Sequence, residues 1–259
     1  MSTITLGIIG GGQLGSMLAI AAKKLGIKTI ILCDDADAPA QNFCNKFINS
    51  NYNDNEKIIE FVNQVDIVTY EFENIPFETL NEINKLKNVL PKPSVNRLIQ
   101  HRLAEKDFVN KLNIRTTRYV SIKEKSEIQT LDDFLPGILK TVTLGYDGKG
   151  QYPINSIEEL NELDIDFSKG YILEKLVKLK KEISIVITRF DNLKYEIYEP
   201  IENTHQDQIL KYSKIPADIS EKLFEQSRNW AIMIAEELKY VGTLCVEFFI
   251  DRNENLYVN

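Results

Sequence analysis

Ile4 to Ile9 is a short apolar run of strand length that stops at Gly10-Gly11-Gly12, and no other junction constrains the fold of this chain as much. Past it, Leu14, Met17, Leu18, Ala21, Ala22 and Leu25 recur at helical spacing, which predicts a helix closed by Gly26. Lys28 to Cys33 is a second strand of the buried type, ended by Asp34 and Asp35. Strand, glycine turn, helix and strand make a βαβ unit, and its crossover commits the start of the chain to a parallel sheet.

The pattern continues with a marginal strand at Phe47-Ile48, a helix over Asn55–Asn63 and a strand over Ile67–Tyr70. Glu71, Glu73 and Asn74 follow, and Pro76 opens a helix through Lys87 where its missing N–H costs little. Pro91 and Pro93 bracket Lys92 and end a first domain, drawn at residues 1–95, of the α/β class. Asn96 to Leu112 reads as one linking helix, with Leu98, Leu103, Phe108, Val109 and Leu112 on one side. From Thr116 the character changes. Strands are predicted over 117–120, 137–143, 171–175, 182–189, 193–199, 242–250 and 256–259, with helices over 156–163 and 219–238. Such a succession implies an α+β domain over 96–259. The chain stops within an extended run, Leu256-Tyr257-Val258-Asn259, so a missing C-terminal portion is expected.

Two domains suit 259 residues. Lys and Arg total 31 against 38 Asp and Glu, a net charge of −7, which argues against a broad nucleic-acid surface. Cys33, Cys44 and Cys245 form no disulfide framework, no signal-like start is present, and no apolar stretch reaches the ~20 residues of a membrane helix. A cytoplasmic protein without membrane or nucleic-acid partners is expected.

Gly10, Gly12 and Gly15 carry GxGxxG spacing between strand and helix. Such a loop lets a ligand approach the backbone, and free amides at the helix start can take a phosphate. Asp34 even stands where a ribose-binding carboxylate would stand in a dinucleotide-binding oxidoreductase. With only His101 and His205 as histidines, no hydride-transfer site follows, so the loop predicts a phosphate pocket or tight packing.

Lys140 lies inside an apolar strand, where an ammonium needs an anionic partner. Just after it come Gly145, Gly148 and Gly150 with Lys149 among them, a loop suited to closing over phosphates. Glu174-Lys175-Leu176-Val177 offers backbone groups to an adenine edge, and Glu182 a carboxylate to ribose hydroxyls. Glu247 interrupts the apolar run Thr243–Ile250, and a metal ion holding phosphates is a fitting partner for it. Asn259 lies one short turn away, so both can face one magnesium site, and no soft-ligand cluster suggests zinc.

Gly12-Gln13-Leu14-Gly15, Glu71-Phe72-Glu73, Gly145-Tyr146-Asp147-Gly148-Lys149-Gly150-Gln151 and His205-Gln206-Asp207 together resemble the ATP-grasp superfamily. Within it the chain resembles the N5-carboxyaminoimidazole ribonucleotide synthetases. The resemblance runs from the first strand to Asn259. It implies a Rossmann-like N-terminal domain, an ATP-grasp domain, ATP and Mg2+ as cofactors, and a homodimer. It implies the ATP- and bicarbonate-dependent carboxylation of 5-aminoimidazole ribonucleotide in purine biosynthesis, through carboxyphosphate. Arg102, Lys140, Gly145–Gln151, Glu174–Val177, Glu182, His205 and Asn259 match ATP-site positions, and Glu247 a magnesium carboxylate. Gly12, Gln13, Leu14, Gly15, Glu73, Tyr146, Asp147 and Lys149 match substrate-site positions, with the substrate phosphate near Gly12–Gly15. Lys140, Tyr146, Asp147 and Lys149 are the catalytic candidates. Where relatives often carry arginine this chain has Lys149, which keeps the charge and loses the bidentate fork. Another ATP-grasp ligase, or a regulatory protein with a retained nucleotide fold, are the alternatives.

Overall fold

Strands as continuously apolar as the first ones must be covered on both faces, and in a parallel sheet the crossovers do this. In the computed structural model, which describes residues 4–143, 150–192, 194–206 and 209–259, β1 (Thr5–Ile9), β2 (Lys28–Cys33), β3 (Lys46–Asn49) and β4 (Ile67–Tyr70) pair in parallel. Their order is β3-β2-β1-β4. The helices are α1 (Gln13–Lys24), α2 (Asn55–Val62), α3 (Phe77–Leu86) and α4 (Pro93–Ile99). On one face Ile9, Ile30, Leu32, Ile48 and Val68 pack with Phe61, Leu80 and Ile83; on the other Ile8, Ile31 and Cys33 pack with Ala19, Ala38 and Ala40. Asp54 starts α2 by accepting from the N–H of Lys57 at 3.1 Å.

The face that α1 buries shares only Ala22 with the stripe that betrays the helix in the sequence. Leu14 is 58% exposed, Met17 58% and Leu18 38%, whereas Gly15, Ser16, Ala19 and Ala22 are buried. Close approach explains the inversion. The N–H of Ala40 donates to the carbonyl of Gly11, and a Cβ on Gly11 would stand 2.9 Å from that of Ala38. A Cβ on Gly15 would come within 3.0 Å of the Gly10 carbonyl. Only small residues admit the helix so near the chain.

The chain divides between Ile99 and Gln100 into two compact units. The second opens with α5 (Arg102–Lys111), and the expected single helix from Asn96 is therefore broken. His101 is the reason. Its backbone is extended, and its Nδ1 accepts from the N–H of Ala104 at 3.3 Å, capping a new helix.

Next come β5 (Tyr119–Ile122), β6 (Gly137–Thr141), β7 (Gln151–Ile154), α6 (Ile157–Glu162) and β8 (Tyr171–Lys175). They form an antiparallel sheet in the order β5-β8-β6-β7 around Ile122, Leu139, Ile154, Leu160 and Leu173. A larger antiparallel sheet holds β9 (Leu179–Arg189), β10 (Tyr195–Ile197), β11 (Ile201–Gln206), β12 (Ile209–Lys214), β13 (Gly242–Asp251) and β14 (Leu256–Val258). Its order is β12-β11-β9-β13-β14, with β10 on β9. Against it lies α7 (Glu221–Glu237), whose Ala231, Ile234 and Ala235 meet Ile183, Ile185, Ile187, Val246, Phe248 and Ile250. The fold is thus a parallel-sheet α/β unit followed by an α+β unit; β7, β11 and β12 were not expected. Among the described residues no helix is long and apolar enough to cross a membrane.

Candidate active site

Strand register fixes the surroundings of Lys140. On the β6–β8 ladder Lys140 faces Ile172 and Ile138 faces Glu174, so Lys140 and Glu174 share one side of the small sheet as diagonal neighbours. The Lys140 Nζ donates to Glu174 Oε2 at 3.1 Å. The anionic partner expected for Lys140 is therefore present in the chain itself. A second ammonium arrives from α5, with Lys106 Nζ 3.4 Å from the same oxygen. Thr117 completes the group: its hydroxyl accepts from Lys106 at 2.9 Å and donates to Glu174 Oε2 at 3.0 Å. All four residues are buried. Burial would raise the Glu174 pKa, but Lys140 and Lys106 together hold it below the ordinary glutamate range. Burial draws that of Lys106 below the lysine range, with Glu174 pulling the other way.

Neither Lys106 nor Thr117 was among the sequence candidates. A signal was available: Lys106 falls on the same helical stripe as Leu103 and Val109, and with Val109 it is a buried residue of α5. Glu174 itself was expected to serve through its backbone, and its side chain is the centre of the group. In the rest of that connector, Lys175 gives its N–H to the Arg118 carbonyl at 2.8 Å and its Nζ to that of Asp133 at 2.6 Å. Leu176 gives its N–H to the Pro136 carbonyl at 2.9 Å, and Val177 accepts from Leu179 at 2.8 Å.

A second group occupies the side of the large sheet opposite α7. Glu182 on β9 sits opposite Asn203 on β11 and Phe249 on β13, while Ser184 sits opposite Glu247. His205 Nδ1 lies 2.8 Å from Glu182 Oε2, and Asn203 Nδ2 donates to Ser184 Oγ at 3.0 Å. Asn259 donates its N–H to the Glu247 carbonyl at 3.0 Å, directly across β13 and β14, so their side chains share a face. Burial raises the Glu182 pKa; His205 opposes the rise and Glu247 adds to it.

Here one expectation fails. Glu247 does not endure an oily environment, because it is exposed. The apolar run reads as unbroken, yet β13 is two-sided: Val246, Phe248 and Ile250 are buried, while Thr243, Cys245 and Glu247 are exposed. Glu247 thus needs no ion to tolerate its place. Among the described residues no three His, Cys, Asp or Glu side chains gather to hold a metal unaided.

The first glycine loop is also different from its expected form. The N–H of Gly12, a donor expected for phosphate, goes to Glu71 Oε1 at 2.8 Å. Gly10 has a φ of +99°, and a Cβ there would lie 2.7 Å from that oxygen. The loop cradles its own carboxylate, whose pKa burial raises and the Gly12 bond lowers, with the rise prevailing. Of the other candidates, Gln13, Leu14 and Glu73 are exposed, and Gly15 is buried. Arg102 starts α5 and gives its N–H to the Val142 carbonyl at 2.9 Å. Gly150 accepts from the Thr141 N–H at 3.1 Å, and Gln151 faces Lys140 across β6 and β7. Gly145, Tyr146, Asp147, Gly148 and Lys149 lie outside the described residues.

Comparison with known proteins agrees with this architecture. Residues 1–100 match the ribonucleotide synthetase preATP-grasp domain, and residues 107–259 the ATP-grasp domain. The chain is 35% identical over 258 residues to the N5-carboxyaminoimidazole ribonucleotide synthase of Staphylococcus aureus strain COL, covering 98% of this chain and 68% of that protein. The crystal structure of the Staphylococcus aureus N5-carboxyaminoimidazole synthetase complexed with ADP superposes with a TM-score of 0.92 at 35% identity, over 99% of this chain and 69% of that one. The Thermus thermophilus synthetase gives a TM-score of 0.91 at 31% identity, over 98% and 69%. With both of its units matched by this family's domains and its full span aligned to family members, the chain belongs to the N5-carboxyaminoimidazole ribonucleotide synthases of the ATP-grasp superfamily.

Proposed function

We propose that this protein uses ATP and bicarbonate to carboxylate 5-aminoimidazole ribonucleotide on nitrogen, giving N5-carboxyaminoimidazole ribonucleotide. The observation that carries the reading is the polar face of the large sheet, where Glu182, Asn203, His205, Glu247 and Asn259 stand together opposite the side whose apolar residues pack on α7. A sheet so divided has one side for folding and one for a ligand. The match to the ATP-grasp domain supports ATP as that ligand.

Bicarbonate is a poor electrophile, and phosphorylation activates it. One of its oxygens attacks the γ-phosphorus, the bond to the β-phosphate oxygen breaks, and carboxyphosphate and ADP form. The amine of the ribonucleotide then takes the carboxyl carbon, and inorganic phosphate leaves. Lys140 brings an ammonium to the phosphates, held by Glu174 so that it need not reorganise as charge moves. Glu182 accepts from ribose hydroxyls, oriented by His205.

Glu247 and Asn259 are hard oxygen donors side by side on an open face, and magnesium takes one or two carboxylates and draws its other ligands from phosphates and water, so the donor set fits. When bound there, the ion would neutralise phosphate charge. From the resemblance, Tyr146 and Asp147 serve the bicarbonate and imidazole, and Lys149 the phosphates. Since Gly12 is engaged by Glu71, a phosphate can use that amide only by displacing a carboxylate. A homodimer is the assembly this reading carries.

Phosphate release from ATP and bicarbonate tests the proposal. It should rise several-fold on adding 5-aminoimidazole ribonucleotide. Stimulation by a different amine or carboxylate acceptor instead would assign the chain another ligase reaction.

A further inference from the structure

Lys106 is engaged entirely by its own chain among the described residues. Its ammonium is held by Thr117 Oγ1 at 2.9 Å, by Glu174 Oε2 at 3.4 Å and beneath the Tyr119 ring at 5.8 Å. Lys140, among the described residues, has Glu174 alone as partner of its Nζ. Two positive charges thus share one carboxylate oxygen in a buried place. A lone lysine–glutamate pair would be neutral and would turn its ammonium inward. Burial of a net charge is costly, and a protein keeps it where an anion arrives to offset it.

We propose that Lys106 is a positioning residue that shares the charge of Glu174 with Lys140, so that the two ammoniums keep a net positive charge, presented through Lys140 to the phosphates of the nucleotide. Thr117 fixes the shared oxygen from a third direction. This inference rests on the reading of Lys140 as a phosphate contact.

The test compares ADP with adenosine, which lacks phosphates, by calorimetric titration of the purified protein. Lys106→Met should weaken ADP about tenfold, the scale of one charge-assisted hydrogen bond, and leave adenosine unchanged. Unchanged ADP affinity overturns the proposal. Equal loss for both ligands also overturns it, since that is the mark of a general structural role. Lys140→Met separates the two readings: if ADP binds that variant normally, the assignment of Lys140 itself is wrong. If Lys140→Met weakens ADP and Lys106→Met does not, only the role of Lys106 fails. Adding Glu174→Gln to Lys106→Met removes the carboxylate that had captured Lys140, and ADP affinity should recover; a further loss counts against the mechanism. Should the double variant not fold, the ADP-to-adenosine comparison still decides.

Discussion

Replacing Glu174 with glutamine keeps the shape of the side chain and removes its charge, which isolates the electrostatic part of the buried group. In the native protein Glu174 is 4% exposed, and one oxygen meets Lys140 at 3.1 Å, Lys106 at 3.4 Å and Thr117 at 3.0 Å. Removing one member of a buried ion pair costs about 3–5 kcal/mol because the other charge is stranded. Here two ammoniums are stranded, although the glutamine carbonyl still accepts one hydrogen bond, so the lower end, about 3 kcal/mol, is the expected loss. With a urea dependence of about 2 kcal/mol per molar, the midpoint should fall by about 1.5 M. Trp230 is the only tryptophan and lies 6.5 Å from Phe248 in the core of the second unit, so its fluorescence follows the transition of that unit.

Glu60 supplies the control. It also meets two lysines, Lys46 and Lys57, each at 2.8 Å, but on the surface. Each carboxylate meets two lysines, Glu60 with one oxygen for each and Glu174 with one oxygen for both, and the exposed pairs are worth little, so Glu60→Gln should barely move the unfolding followed by circular dichroism. The pH dependence has a definite sign. The folded pKa of Glu174 lies below its ordinary value of 4.5, so its contribution is complete above that value and is lost as the pH falls through the folded pKa. The gap between wild type and Glu174→Gln should therefore persist down to pH 4.5 and narrow only below it. A Glu174→Gln loss under about 1 kcal/mol at neutral pH would refute the claim that this carboxylate carries two buried charges.

Glu71 shifts the opposite way, and its sign reverses. Burial raises its folded pKa above 4.5, so ionisation opposes folding at neutral pH and the opposition disappears below the unfolded value. Glu71→Gln should melt higher than wild type at neutral pH, with the advantage vanishing in acid; a lower melting temperature at neutral pH would mean that the Gly12 bond outweighs desolvation. Glu247 is exposed, so Glu247→Gln should leave the thermal midpoint unchanged and reduce ATP-dependent phosphate release about tenfold or more. Normal turnover by that variant at limiting magnesium would remove Glu247 from the metal site.

The parallel sheet was legible because strands covered on both faces appear as apolar runs, and Leu6–Ile9 of β1 and Thr29–Cys33 of β2 come near to that kind. The β11–β12 hairpin was not, since all six residues of β12 are exposed and the hairpin is held by pairing rather than burial. For α1 the spacing of Leu14, Met17 and Leu18 revealed a helix, while the face it buries was decided by how near Ala38 and Gly10 stand. Lys140 was recognisable as a charge needing an anion, but its counter-charge lies 34 residues further along the chain, and only the β6–β8 register brings the two to one side.

Glu247 shows the converse difficulty. The run from Thr243 to Ile250 reads like a strand with oil on both sides, although α7 covers only one. An apolar residue on the open side of a sheet looks the same in sequence as one in the core, and here Cys245 and the half-buried Phe249 are of the open kind. The sequence therefore suggests for the carboxylate among them an energetic need that it does not have. What its position requires explaining is the company it keeps: Glu182, His205 and Asn259 come from three other segments, and antiparallel register alone assembles them. Burial is a sound argument for a ligand at Lys140 and Lys106, where two charges face one. At Glu247 the convergence of side chains, and not burial, points to a ligand, which is why its substitution is expected to change turnover and leave stability alone.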